Sequence, residues 1–156
     1  MNTIVEEKES LGVLMLGNNP IELGKIVAHL REVNGTKIIT EFAFDLKSSL
    51  HCLSTFKPSF IIIDDNIGKD ELNLSVKSFM SEKKTKDVPI TVIKNSNYES
   101  IFSNGPLNYV LKSNLSGELL YRALTNSIKY RRTQDYLRLV YRKRKGKLKQ
   151  LIKSAF

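Results

Sequence analysis

The run Phe60-Ile61-Ile62-Ile63-Asp64-Asp65 constrains the fold more than any other stretch of this chain. Four consecutive large apolar residues, three of them β-branched, lead straight into two carboxylates, and Pro58-Ser59 marks the entry. A run this short, apolar at every position and without alternation, predicts a strand buried on both faces, as in the middle of a parallel sheet. The carboxylates then fall at its C-terminal edge, where open α/β sheets place ligands and chemistry.

The sequence around this run alternates strand and helix patterns. Leu11–Leu16 is a first apolar strand closed by Gly17-Asn18-Asn19, and Pro20 suits the first turn of a helix capped by Asn19. Ile21, Leu23, Ile26, Val27 and Leu30 recur at helical spacing up to Asn34-Gly35. Lys37–Phe44 reads as a second strand, and Leu46, Leu50, Leu53 and Phe56 as the apolar side of a second helix that stops before Pro58. After the central strand, Leu72, Leu74, Val76 and Phe79 predict a third helix. Val88–Ile93 is a fourth strand with its proline near the start, and Leu107–Leu111 a fifth. Between them, 95–105 is polar and predicts a short or irregular connection. A strong amphipathic helix begins at Leu115, and its pattern can be followed to about Ile152. Strand and helix alternating in this way demand crossover connections, hence a doubly wound five-stranded parallel sheet with helices on both faces and an extended last helix.

Charge divides the chain where periodicity does not. Of the 25 Lys and Arg residues, eleven lie in 129–156 with a single acid, Asp135, so this extension carries +10. The remaining 14 basic and 15 acidic residues leave 1–128 almost neutral. We therefore divide the chain into a tail (1–10), an α/β domain (11–128) and a basic helical extension (129–156). The apolar fraction of 41% is ordinary for a globular protein. No apolar run approaches the ~20 residues of a membrane span, and the first ten residues hold three glutamates and no secretory pattern. The lone Cys52 excludes an internal disulfide and a cysteine-rich metal site, so a cytoplasmic protein is expected.

At the carboxyl edge of such a sheet four strand ends meet. They offer Gly17, Asn18 and Asn19 from the first strand, Asp64 and Asp65 from the third, Lys94 and Asn95 from the fourth, and Lys112 and Ser113 from the fifth. The ordered set of a strand ending Gly-Asn-Asn-Pro, the Phe-Ile-Ile-Ile-Asp strand, Val-Pro-Ile-Thr-Val-Ile, and Tyr109-Val-Leu-Lys112 resembles the receiver domain of bacterial two-component response regulators. The resemblance covers Leu11 to about Ile128 and implies a flavodoxin-like fold. It further implies a phosphoryl group passed from a partner histidine kinase to an aspartate beside a magnesium ion. By position Asp64 is the phospho-acceptor, Lys112 the lysine that pairs with the phosphoryl oxygens, and Tyr109 the aromatic that changes rotamer.

Four positions depart from that pattern. The family's acidic pair after the first strand is Gly17-Asn18, its Ser or Thr after the fourth strand is Lys94, and its proline after the lysine is Ser113. Magnesium is a hard ion that wants carboxylate oxygens. At an effective dielectric of ~20, each opposite charge at about 4 Å is worth around 4 kcal/mol before desolvation. Weak magnesium binding and a degenerate, pseudo-receiver character are therefore expected, with no resident cofactor or metal and no enzymatic site. The ammonium of Lys94 is expected to run along the apolar wall to Asp64, with Lys112 on its other side. An ion-pair cluster is the competing structural reading of these three residues, preferred here to working phosphorylation of Asp64, which stays as the alternative. His29 and His51 read as structural, and Cys52 as a core thiol.

In the extension, Ala123, Ser127, Tyr130, Gln134, Leu137, Tyr141, Arg144, Leu148 and Leu151 recur at spacings of four and three, an impure heptad seam weakened by Gly146. It resembles the linker that follows receivers in multidomain signalling proteins. Partners expected from these features are a histidine kinase or other signalling protein, and a second copy of the chain paired through the last helix. Nucleic acid touched by Arg142, Lys143, Arg144 and Lys145 ranks below self-association, and a membrane surface below both.

Overall fold

The computed structural model describes residues 10–32, 37–95 and 107–155. Strands β1 (Ser10–Leu16), β2 (Lys37–Ala43), β3 (Phe60–Asp64), β4 (Ile90–Lys94) and β5 (Leu107–Leu111) form one sheet in the order β2-β1-β3-β4-β5. Every pairing is parallel. The described helices are α1 (Pro20–Arg31), α2 (Leu46–Cys52), α3 (Lys69–Ser81) and α4 (Gly117–Ala155). The doubly wound sheet and the extended last helix are those expected from the alternating pattern.

Local chemistry explains where these elements start. Asn19 caps α1, its side-chain oxygen accepting from the amides of Ile21 and Glu22, with Pro20 in the first turn. Asp45 and Ser48 exchange hydrogen bonds as a capping box on α2. The bonds from the Ser48 amide and hydroxyl hold the Asp45 carboxyl below its ordinary pKa. Gly68, at φ 93°, supplies the turn that leads into α3, a backbone conformation costly for any residue with a Cβ.

β3 is buried at all five positions, because helices cover the sheet on both sides. Strand alternation divides the core in two. Val13, Met15, Phe60, Ile62, Ile93 and Val110 face the layer formed by α1 and the first turns of α4, where Leu23, Ile26, Leu30, Leu120 and Leu124 meet them. Leu14, Leu16, Ile61, Ile63, Ile90 and Val92 face α2 and α3, packing with Leu53, Leu72, Val76 and Phe79. The buried hydroxyl of Thr85 donates to the carbonyl of Phe79, 2.6 Å away, and ties the end of α3 to the approach of β4.

Several boundaries differ from the sequence reading. α2 ends at Cys52, and Leu53–Thr55 continue as turns instead of helix; Lys84 Nζ donates to the Leu53 carbonyl at 3.0 Å. β4 starts at Ile90, since Pro89 has no N–H for a ladder and contributes only its carbonyl, to the amide of Ile61. α1 ends at Arg31; Asn34-Gly35, and the connection from residue 96 to 106, lie outside the described residues. Ile21 and Leu74 are exposed although they fit the apolar periodicity, because the buried stripe on each helix is narrower than the pattern. Cys52 is half-buried against the α2/α3 side of the core, His29 is half-buried and His51 is exposed.

Phe79 is fully buried at the centre of the second core layer. Phe79→Ala should lower the free energy of unfolding by about 3–5 kcal/mol. Urea unfolding followed by circular dichroism measures this directly.

Candidate functional site

The carboxyl edge of the sheet brings Gly17, Asn18, Asp64, Asp65, Asn66, Lys94, Asn95 and Lys112 to one end of the domain. Register then sorts them onto two faces. Asp64 is the ladder partner of Ile93, so Lys94, the next residue, points to the opposite side of the sheet from Asp64. Asp64 lies on the face of Ile62 and Met15, towards α1. Lys94 lies on the face of Val92, towards Tyr109.

This corrects one expectation. The buried ammonium of Lys94 sits 3.8 Å from the centroid of the Tyr109 ring, a cation–π contact between neighbouring strands. The ion pair of Asp64 is with Lys112, whose Nζ is 2.8 Å from Oδ1. Lys112 and Asp64 therefore meet as expected, while Lys94 and Tyr109 form a separate pair across the sheet.

Asp64 is enclosed, its side chain only 1% exposed. Oδ1 accepts from the amide of Asn66 at 3.0 Å, which caps the short 3-10 turn Asp65–Ile67. The Lys112 contact is close in distance but lacks hydrogen-bond alignment, and the buried Oδ2 has no hydrogen-bond partner among the described residues. A buried carboxylate oxygen left so costs roughly 1–3 kcal/mol, a strain typical of sites whose geometry is held by their surroundings.

Asp65 is turned out of the pocket. Its two oxygens accept from the Asn95 amide at 3.2 and 3.1 Å, and Oδ1 also accepts from the Asn95 side-chain amide at 2.6 Å. The same Asn95 side chain donates to Asn66 Oδ1, so the loops after β3 and β4 are clamped together. Asn18, exposed at the end of β1, donates through Nδ2 to the Asn66 carbonyl at 3.0 Å. An oxygen beside Asp64 is thereby engaged by a hydrogen-bond donor.

Gly17 decides the rest. A Cβ placed on it would lie 2.8 Å from Leu23 Cδ2 and 3.2 Å from the Asp64 Cβ. Leu23, on α1, fills the space into which a side chain at position 17 would project. The sequence shows Leu23 only as one more apolar residue on a helix. Its role follows from the close approach of α1 to the end of β1, and Gly17 is the sole signal of it.

These residues do not fit a magnesium ion. The oxygens on the Asp64 side of the edge are one carboxylate already paired with a lysine, a carbonyl already accepting from Asn18, and neutral amides. Among the described residues no group of three or more His, Cys, Asp or Glu side chains is placed to hold a metal.

No protein-family model and no curated relative matches the sequence. Solved structures do match. The receiver domain of the sensor histidine kinase PA1611 from Pseudomonas aeruginosa PAO1 superposes with a TM-score of 0.64 at 17% identity, over 77% of this chain and 98% of that one. The chain has the receiver fold. Chemotaxis response regulator CheY4 of Vibrio cholerae matches at TM-score 0.57 and 19% identity, over 76% and 98% of the two chains. A receiver-modulated diguanylate cyclase from Pelobacter carbinolicus matches at 0.58 and 15%, over 80% and 97%. The PA1611 receiver holds a magnesium ion in its active-site cleft; the corresponding edge here carries Gly17, Asn18 and the Leu23 side chain.

Restoring one carboxylate will not reopen this edge. Gly17→Asp alone should destabilise the fold by about 1–3 kcal/mol through overpacking against Leu23, with no gain in magnesium affinity. Gly17→Asp, Asn18→Asp and Leu23→Ala combined should bind magnesium measurably in calorimetric titration. Submillimolar magnesium binding by the unaltered protein, lost in Asp64→Asn, would overturn this reading of the site.

Proposed function

We propose that this chain is a degenerate receiver-type signalling domain of a two-component pathway, working through protein–protein contact without metal-assisted phosphoryl transfer. The observation that carries this is the Leu23 side chain packed over Gly17, where phosphoryl transfer would need a charged, metal-binding wall. Transfer to an aspartate depends on charge neutralisation and positioning. Here the acceptor is enclosed, the wall is apolar, and the amides of Asn18 and Asn95 are engaged by Asn66 and Asp65.

The Lys94–Tyr109 contact gives the domain a further means of working without phosphate. A cation held on the ring of Tyr109 fixes that side chain by an interaction built into the sheet. The domain then presents one surface to its partner, a histidine kinase or another signalling protein, and the partner supplies any regulation. We assign it no catalytic activity of its own and no resident cofactor, and place it in the cytoplasm.

The alternative, phosphorylation of Asp64, is favoured by one observation, the 2.8 Å approach of Lys112. Incubation with a small phosphodonor, with and without magnesium, separates the two. We expect the intact mass to be unchanged. A phosphoryl increment that requires magnesium and disappears in Asp64→Asn would establish the alternative.

The second partner we propose is another copy of the chain. Leu137, Tyr141, Leu148 and Leu151 are exposed along one stripe of α4. Thr133, Val140 and Lys147 flank that seam on one side, and Arg138, Lys145 and Ile152 on the other. In a parallel, in-register pair each charge on the flanks meets a neutral residue, with Arg144 on the seam the one cation that meets its own copy: Thr133 faces Arg138, Val140 faces Lys145, and Lys147 faces Ile152. An antiparallel pair would set the Arg138 and Lys145 flank against itself. The extension is therefore suited to a parallel dimer. Sedimentation should show a dimer for the full chain and a folded monomer for Leu148→Glu/Leu151→Glu; monomers in both would sink the assignment.

A further inference from the structure

The last helix carries, beside its apolar seam, a second stripe that the signalling role does not use. Arg138, Arg142, Lys145, Lys149 and Lys153 follow one another at spacings of four, three, four and four, which places all five on one face, and all are exposed. Lys143 and Lys147 fall outside this stripe, on other parts of the helix surface.

What the sequence does not show is where this stripe begins. Arg138 Nη2 lies 3.3 Å from Asp87 Oδ1, in the loop between α3 and β4. Asp87 also lines a groove of about 780 Å³ at the amino edge of the sheet, together with Lys57, Lys83 and Lys84. Lys86 precedes Asp87 and is exposed, as are Lys57 and Lys83. The ion pair between Arg138 and Asp87 thus joins two basic segments that are distant in the chain. The acids nearby are Asp87, engaged by Arg138, together with Glu82 on the same loop and Asp135 at the start of the helical stripe.

We propose that the α4 stripe and Lys57, Lys83 and Lys86 of the domain, joined at the Arg138–Asp87 contact, together bind the sugar–phosphate backbone of a nucleic-acid duplex. The stripe runs fifteen residues, about 22 Å at 1.5 Å per residue. A duplex presents one negative charge per ~1.7 Å of axis, so this length meets about a dozen phosphates. A lipid surface fits the same helix less well. Lying in a bilayer would bury the apolar stripe with Arg144 inside it. Pairing of two chains along the seam sets Arg138 and Lys145 beside the partner helix and leaves Arg142, Lys149 and Lys153 of each open, so both partners can be held together.

The test uses the full chain, a short fluorescent duplex DNA and anisotropy titrations between about 50 and 200 mM salt. Six to eight phosphate contacts should make affinity fall by about 10³-fold or more over that range. The domain variant Lys57→Gln/Lys83→Gln/Lys86→Gln and the helix variant Lys145→Gln/Lys149→Gln/Lys153→Gln should each reduce the slope of log affinity against log salt by about 3, equally for unrelated sequences. Absence of binding at the lowest salt would overturn the proposal. A slope unchanged in the domain variant would also overturn it, because the helix alone would then bind. So would tighter, equally variant-sensitive association with phosphatidylserine vesicles than with the duplex.

Discussion

Asp64 pairs with Ile93 across the ladder between β3 and β4, and that one register governs the carboxyl edge of the molecule. Side chains alternate along a strand, so a shift of one residue would exchange the faces of Asp64 and Lys94. With the observed register, Asp64 is delivered to the α1 side, where Gly17 and Leu23 enclose it. Lys94 is delivered to the other side, onto Tyr109. Two cations on neighbouring strand ends therefore serve different purposes: Lys112 balances the buried carboxylate, and Lys94 holds an aromatic ring.

The register is itself secured by β3. Every side chain of Phe60–Asp64 is buried, with Ile61 and Ile63 committed to one core and Phe60 and Ile62 to the other. A slip would exchange these sets between layers whose packing partners differ. The loops beyond the strands are tied down by polar contacts of their own. Asn95 joins Asp65 to Asn66, and Asn18 closes on the Asn66 carbonyl. The edge is completed by these amide hydrogen bonds and by one leucine.

α4 has two roles along its 39 residues. Leu120 and Leu124, near its start, are part of the α1 side of the core. From Arg138 onward every residue except Val140 that is described in burial is exposed, and the helix continues past Gly146 without a break. Glycine costs a helix about 1 kcal/mol relative to alanine, too little to interrupt one of this length. A helix of about 58 Å, at 1.5 Å per residue, carries the seam and the basic stripe well beyond the domain to which Arg138 tethers it.

The alternation of strand and helix, the buried central strand, the cap at Asn19 and the unbroken last helix were all legible from sequence, because each rests on local chemistry or on a periodicity read along the chain. The positions of Asp64 and Lys112 were legible too, since strand ends of this topology converge on one edge. The face to which Lys94 turns was not, because facing depends on pairing register, a relation between strands. Nor was the closure of the edge by Leu23: Gly17 looks the same in sequence whether the space beside it is empty or filled, and only the approach of α1 fills it. The proposed union of the α4 stripe with Lys57, Lys83 and Lys86 is of the same kind. Charge can be counted along a chain, but which charges share a surface is decided by the contact of Arg138 with Asp87, between residues that only the fold brings together.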